Sequence, residues 1–336
     1  MMQSQRSRRS WRLFFGLSLG ALLISAWFGY VQTADMPWHG ALVGIVASLI
    51  IATPIMLLEV KGQRLLRRLR RLPLLAYLAL KIVFYVVVIL GGLILVRGLN
   101  ISSHERFDDS FGASVIFSVI MAVGANVVFE IGGLLGFSTL RNLFTGRYVQ
   151  PRREQRAFLL IDMKDSTGMA ERLGPVKFHE LLNDFFRDIS DAALDCNGEI
   201  HKYVGDEAIL TWSGAAMGNG ECLRCPFVAR DLIERDRATY EARYGEMPSF
   251  RASIHYGEIV AGEIGDVRRE IAYVGDTLNV AARLLEAAKE LGRDVLASDD
   301  LLARAPLPDG LRTVKLPMLT VRGRAAPLGV SALESV

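Results

Sequence analysis

Residues 199–212, EIHKYVGDEAILTW, hold two runs of strand-forming residues on either side of Gly205 and Asp206. Glycine and aspartate are typical of tight turns, so the stretch predicts a β-hairpin with Asp206 in its turn. Upstream, AFLLID (157–162) is a fully apolar strand that ends in Asp162. Two carboxylates from adjacent strands at the rim of a sheet can hold Mg²⁺. An aspartate of this kind, taken alone, more often caps backbone groups in a turn than binds metal.

The rest of the second half alternates short strands and helices, which predicts an α+β fold with a mainly antiparallel sheet covered by helices. The third predicted helix, Asp276 to Leu291, has Asp276 as its N-cap and carries Asn279 and Arg283 on one face, four residues apart. The other predicted elements are helices at Gly168–Leu194 and Glu221–Glu241, a strand pair around Tyr256–Glu258 within residues 250–265, and tail strands at Arg312–Lys315, Leu319–Val321 and Leu328–Leu333.

The first half is built differently. The chain has 336 residues, of which 51% are hydrophobic and only 22% charged, an average that indicates a membrane part joined to a soluble part. Four apolar stretches reach the roughly 20 residues that cross a bilayer. They run from about Trp11 to Val31, Trp38 to Leu58, Pro73 to Val96 and Phe111 to Leu140.

The loops between these stretches predict their orientation. Arginine and lysine are concentrated before the first stretch, between the second and third, and after the fourth, whereas residues 32–37 contain neither. The positive-inside rule then predicts a multi-pass membrane protein with both termini in the cytoplasm. Lys81 and Glu130 lie inside the third and fourth stretches, and we expect them to pair or, alternatively, to reach polar surroundings separately.

Composition excludes other classes. The net charge is +3 against 39 basic residues, which gives no support to nucleic-acid binding. The chain has three cysteines, Cys196, Cys222 and Cys225. A secreted disulfide scaffold usually has more cysteines and an even number of them, so we expect reduced thiols.

Four motifs together resemble, in order and spacing, those of the class III nucleotidyl cyclase catalytic domain. Their residues are most similar to those of bacterial membrane-anchored adenylate cyclases. They are FLLIDMKDSTGMAERLG (158–174), HKYVGDEAILTW (201–212), ASIHYGEIVAGEIG (252–265) and YVGDTLNVAARL (273–284). The resemblance implies a ferredoxin-like or palm-like fold. It covers about Phe158 to Leu333. Together with the apolar stretches, it predicts a four-helix transmembrane domain (1–140), a cytoplasmic coupling linker (141–156) and a catalytic domain (157–336).

The resemblance also implies roles for individual residues. Asp162, Asp206 and the backbone of Met163 match metal-binding positions for two Mg²⁺ or Mn²⁺ ions. Lys202 matches the lysine that reads adenine, Asn279 the residue that orients the ribose, and Arg283 the one that stabilises the transition state. Thr167 and Arg322 match positions near the phosphates; for Thr167 an ordinary helix cap is equally compatible, and Arg322 is aligned to within about two residues.

One position departs from the family pattern. Ala272 stands where a second purine-reading side chain, Asp or Thr, is usual. The expected function is an adenylate cyclase that makes cyclic AMP from ATP, at sites shared across a homodimer formed by the catalytic domains and the membrane bundle. The alternatives are a guanylate cyclase and a membrane receptor with a silent cyclase-like domain. The bundle is expected to contact the lipid bilayer, and it either binds a further ligand of its own or only anchors and dimerises the cyclase.

Overall fold

The computed structural model describes residues 5–33, 35–61, 69, 72–98, 109–267, 269–320 and 327–336. The backbone divides into two compact units, Met1–Leu140 and Arg141–Val336.

Among its described residues, the first unit contains four long apolar helices. Each includes a stretch of 19 to 23 residues that is long and apolar enough to cross a membrane. Their bounds are α1 Gln5–Gln32, α2 Pro37–Lys61, α3 Leu74–Gly98 and α4 Asp109–Leu135.

The fourth helix is shorter than the sequence predicts. It ends at Leu135 rather than near Leu140, because Gly136 has a φ of 86°, which is incompatible with a continuing right-handed helix. A separate short helix, α5, follows over Phe137–Phe144.

A polar cluster joins three of these helices. The Lys81 ammonium of α3 lies 3.0 Å from a Glu130 carboxylate oxygen of α4, so the predicted pair is confirmed. It also lies 2.8 Å from Glu59 of α2, a partner that the sequence analysis missed. The Tyr77 hydroxyl donates to Glu130 over 2.8 Å, and the Tyr85 hydroxyl donates to Glu59. Lys81 and Glu59 are almost fully buried, so the ion pairs and hydrogen bonds of the cluster compensate for the hydration that these charged groups lose.

The second unit is built on an eight-stranded mixed sheet. Seven strands follow the order β2-β3-β1-β4-β6-β8-β7, and β5 pairs with β4. The β4–β6 pair is parallel and the other pairs are antiparallel. The strands are β1 Arg152–Met163, β2 Glu199–Val204, β3 Glu207–Ser213, β4 Phe250–Ile264, β5 Glu270–Val274, β6 Val295–Ser298, β7 Leu311–Lys315 and β8 Val330–Ser335.

Helices cover both faces of this sheet. On one face, Leu181, Phe185 and Ile189 pack against β1 and β4 in the main core. On the other face, Ala281 and Leu285 pack against Phe158 and Leu160 of β1. The helices are α6 Ser166–Leu173, α7 Pro175–Asp195, α8 Glu221–Arg235, α9 Arg237–Tyr244, α10 Asp276–Glu290 and α11 Asp299–Leu302.

Two helices predicted as single pieces are each divided in two. The break between α6 and α7 falls at Gly174, whose φ is 74°, followed by Pro175, which has no N–H to donate and is suited to the first helical position. The break between α8 and α9 falls at Asp236.

The predicted strand pair within residues 250–265 is wrong. β4 is one continuous strand there, and twelve consecutive residues of β1 pair with it, so Gly257 lies within a strand rather than in a turn. A side chain at residue 257 would collide with Thr277 of α10. The glycine is therefore needed because α10 approaches the strand closely at this point.

Smaller differences concern element ends. The N-cap of α10 is Gly275, so Asp276 is the first helical residue rather than the cap. Of the predicted strand Leu319–Val321, the described residues show an isolated bridge from Leu319 to Leu328, and Val321 lies outside the described residues. The three cysteines are buried and unpaired with one another by disulfides, as expected.

The buried cluster gives a stability prediction. Lys81→Met leaves Glu59 and Glu130 without their shared cation, which should destabilise the bundle by about 3–5 kcal/mol. The measurement is the thermal midpoint in nanodiscs, followed by tryptophan fluorescence, since Trp11, Trp27 and Trp38 all lie in this half.

The matched control is the triple variant E59Q/K81M/E130Q, which removes the formal charges together. It should recover most of the lost midpoint, because no unpaired charge remains buried. Equal midpoints for wild type and Lys81→Met would contradict the role assigned to this cluster.

Candidate active site

Asp162 is the penultimate residue of the central strand β1. Residues 157–161 before it are buried, and Asp162 itself is partly exposed. Side chains alternate along a strand, so Asp162 lies on the same face as Phe158 and Leu160, the face that α10 covers. In the paired strands, its register partners are Glu207 on β3 and Arg251 on β4.

Asp206 lies in the turn between β2 and β3, as predicted. Gly205 has a φ of 62°, a left-handed conformation that glycine adopts without strain, and it lets the chain reverse within two residues. Asp206 is partly exposed and is close enough to Asp162 to act on its charge. The structure therefore brings together the two carboxylates predicted to hold metal.

Glu207 adds a third carboxylate, which the sequence analysis missed. Burial and the negative charges of Asp162 and Asp206 raise the pKa of Glu207 to about 7. Burial and Asp206 likewise raise the pKa of Asp162, against the opposing effect of Arg251 and Lys289. The antiparallel register of β1 and β3 could have predicted Glu207, because the residue after the turn aspartate lies directly opposite Asp162.

This concentration of negative charge fits a bound divalent cation. Carboxylate oxygens are the ligands that Mg²⁺ prefers, and a cation would relieve the repulsion that raises both pKa values. In the described part of the chain, no group of three or more His, Cys, Asp or Glu side chains is arranged to hold a metal alone. Mg²⁺ commonly uses one or two carboxylates and takes the rest of its ligands from substrate phosphates and water.

Met163 and Thr167 follow Asp162 in the chain. The Met163 side chain is buried in the core, so only its backbone could contact a metal. Thr167 is exposed in the first turn of α6, and the cap position of that helix belongs to Asp165, in a left-handed conformation with a φ of 53°. Thr167 is therefore not the cap residue, which leaves its side chain open to another contact.

Lys202 lies on β2, next to a bulge in the pairing with β3. Its ammonium lies 3.7 Å from a carboxylate oxygen of Glu270 on β5. Beside it, the rings of His201 and Tyr273 lie 4.5 Å apart between centroids, so two contacts connect β2 with β5.

Asn279 and Arg283 both lie on α10, which is held at its start by a 2.7 Å hydrogen bond from the Thr277 hydroxyl to the Glu258 carbonyl. Asn279 is exposed and Arg283 is partly exposed. Lys289, at the other end of the helix, acts on Asp162. At 1.5 Å per residue, Asn279 is about 15 Å from Lys289 along the axis.

The structure thus places Asn279 toward the start of α10, away from the end of the helix that lies near Asp162, whereas Arg283 is midway along the helix. Arg322 lies outside the described residues, so its predicted phosphate contact stays a prediction.

Comparisons with known proteins identify relatives of this chain. A family described as the adenylate and guanylate cyclase catalytic domain matches residues 149–301. Adenylate cyclase 2 of Rhizobium meliloti (strain 1021) is 34% identical over 323 residues, covering 94% of this chain and 89% of that protein. An adenylate cyclase of Anabaena cylindrica is 26% identical over 157 residues, covering 45% of this chain but only 31% of that protein.

A solved structure extends the likeness to the fold. The structure of a bacterial light-regulated adenylyl cyclase superposes with a TM-score of 0.53 at 16% identity, covering 65% of this chain and 64% of that one. At this identity the match concerns the fold alone.

His201, beside Lys202, gives a prediction about acid stability. Burial, then the positive charges of Lys202 and Arg156, lower the pKa of His201 from its ordinary 6.5 to about 4, although Glu270 opposes this. Between these values the unfolded chain binds a proton that the folded chain does not, so stability falls as the pH falls from about 6.5 to about 4. His201→Gln should remove this contribution.

The measurement compares thermal midpoints at pH 7.5 and pH 5.0. Acidification should lower the midpoint of the wild type more than that of His201→Gln. His179→Gln, at an exposed histidine of α7, is the control and should behave like the wild type. Parallel shifts for wild type and His201→Gln would show that His201 is not the titrating group.

Proposed function

Because the chain belongs to the class III nucleotidyl cyclase family, we propose that it is an adenylate cyclase that converts ATP into 3′,5′-cyclic AMP and pyrophosphate. The observation that carries this proposal is the meeting of Asp162 and Asp206 at one edge of the sheet. It occurs in a chain related over 94% of its length to a protein named as an adenylate cyclase.

Asp162 and Asp206 would hold two Mg²⁺ or Mn²⁺ ions, with the Met163 carbonyl as a further ligand. When bound, such ions supply charge neutralisation on the triphosphate and favour ionisation of the ribose 3′-hydroxyl. The crowding of Asp162, Asp206 and Glu207 supports this assignment, since the uncompensated cluster is electrostatically unfavourable.

In the reaction, a bond forms between the ribose 3′-oxygen and the α-phosphorus, the 3′-hydroxyl proton is lost, and the bond to pyrophosphate breaks. Asn279 would orient the ribose by hydrogen bonding, and Arg283 would stabilise negative charge on the phosphate in the transition state. Thr167 and Arg322 would bind the phosphates.

Lys202 supports ATP over GTP. An ammonium only donates hydrogen bonds, which suits the acceptor N1 of adenine, whereas N1 of guanine carries a hydrogen. The names of the relatives in Rhizobium meliloti and Anabaena cylindrica agree with this choice. A guanylate cyclase remains the second candidate because Ala272 offers no side-chain hydrogen bond.

Each site would be shared by two chains. The separation along α10 supports this, since the helix that carries Asn279 has Lys289, not Asn279, near Asp162. One subunit would give Asp162 and Asp206, and the other Lys202, Asn279 and Arg283. A symmetric homodimer then forms two equivalent sites.

The four apolar helices would anchor the enzyme in the plasma membrane with both termini in the cytoplasm, where ATP is available. The distribution of arginine and lysine in the loops supports this orientation. Residues 1–140 would form the transmembrane domain, 141–156 the coupling linker and 157–336 the catalytic domain.

The first test is a product assay. Full-length protein in nanodiscs is incubated with Mg²⁺ or Mn²⁺ and either ATP or GTP, and the cyclic product is identified by mass spectrometry. We expect cyclic AMP from the wild type. Asp206→Asn should lower the rate by at least about a hundredfold, because a neutral amide is a poor metal ligand.

Asp231→Asn is the matched control, since Asp231 is exposed on α8, the helix layer on the other face of the sheet. It should keep full activity. Cyclic GMP as the main product would overturn the base assignment, and a dimeric preparation that makes neither product with either metal would favour the silent receptor.

The second test concerns sharing of the site. Asp206→Asn and Arg283→Ala should each be inactive alone. Co-expressed in equal amounts they should recover about a quarter of wild-type activity, because half of the dimers are mixed and each mixed dimer has one intact site. Recovery fails if each chain holds a complete site, so a mixture as inactive as its components would contradict the shared arrangement.

A further inference from the structure

Recognition of adenine needs both a donor and an acceptor. The edge of adenine presents N1, which accepts a hydrogen bond, next to the 6-amino group, which donates one. Lys202 can satisfy only N1, because an ammonium has no acceptor. An adenine-specific site therefore needs an acceptor next to the Lys202 ammonium.

Glu270 lies in that place. Its carboxylate oxygen is 3.7 Å from the Lys202 ammonium, which is beyond a direct hydrogen bond, so both groups keep capacity for a ligand between or beside them. Both side chains are about half exposed, at 41% for Lys202 and 48% for Glu270. The pair is therefore accessible to a nucleotide base.

A purely structural role explains this pair poorly. An exposed ion pair adds little to stability, because water screens the charges and both long side chains lose freedom. The strand contact is already made beside it by the rings of His201 and Tyr273, which lie 4.5 Å apart and are tilted by 41° to each other. Nothing in the packing of β5 therefore requires a carboxylate at this position.

Ala272 lacks the side-chain acceptor that is usual at its position, so another residue on the same side of β5 must supply one. Residues two apart on a strand lie on the same side, so residues 270 and 272 of β5 share one side. Alanine leaves that side without a polar group at 272, and the longer glutamate supplies an acceptor from two residues away. The pairing of β5 with β4, from Ile264–Glu270 to Val260–Val274, fixes both positions.

We infer that Glu270 is the acceptor for the 6-amino group of adenine and, with Lys202, determines the base specificity of the enzyme. This rests on the proposed cyclase function. Lys202 donates to N1 while Glu270 accepts from the amino group. For guanine this order is mismatched, since its N1 is a donor and its position 6 is an acceptor.

The experiment compares ATP with purine ribonucleoside triphosphate, which lacks the 6-amino group and is otherwise identical. In the full-length wild type, kcat/KM should be about tenfold or more higher for ATP, the size expected for a hydrogen bond to a charged group. Glu270→Ala should lower kcat/KM for ATP, mainly through KM, and leave the analogue nearly unchanged. The preference for ATP should then fall close to one.

Two further variants separate base recognition from a general defect. E270A/A272D returns a carboxylate to the same side of β5 and should restore the preference for ATP. Glu234→Ala is the matched control, because it removes an exposed ion pair with Arg237 on the opposite helix layer, and it should change neither substrate.

The outcomes are distinguishable. If the wild type makes cyclic AMP but Glu270→Ala slows both substrates equally, the role of Glu270 is overturned and the adenylate cyclase function stands. If the wild type prefers GTP, the proposed substrate and this inference fail together.

Discussion

The double pairing of β1 is the constraint on which the catalytic unit depends. Its residues pair with β3 on one edge and with β4 on the other, and helices cover both faces, so residues 157–161 are almost completely buried. Such a strand must be apolar wherever it is covered. Asp162 is the first acidic residue of the strand beyond this apolar run, and its position is as rigid as the sheet itself.

Rigid placement explains how like charges are kept together. Register places Glu207 opposite Asp162, and the two-residue turn holds Asp206 next to both. Without the backbone pairing, repulsion would move these carboxylates apart. Here the strands hold them in place, and burial together with the neighbouring negative charges raises the pKa values of Asp162 and Glu207. The folding energy of the sheet thus keeps these carboxylates together despite their repulsion, as the proposed metal site requires.

Local sequence was enough for the features that depend on local chemistry. A short run of residues predicts each of three features, namely the four apolar helices, the turn at Asp206 and the place of Asp162 near the end of β1. The continuous strand β4 was missed because Gly257 resembles a turn residue until the approach of Thr277 is known. Glu59 and Glu270 were missed for the same reason, since their partners are far away in the chain and only the fold brings them to Lys81 and Lys202.

The length of α10 has a consequence for how the enzyme would be regulated. Packing against β1 and β4 fixes the helix, so Asn279 cannot slide toward Asp162 without loss of the contacts of Ala281 and Leu285. A site completed by a second chain makes activity depend on association rather than on internal rearrangement. Confinement of both chains to a membrane raises their effective concentration. Under the shared-site proposal, the four helices would therefore increase the rate simply by anchoring both chains in one membrane. Any ligand that changes how two bundles associate would then change the rate as well.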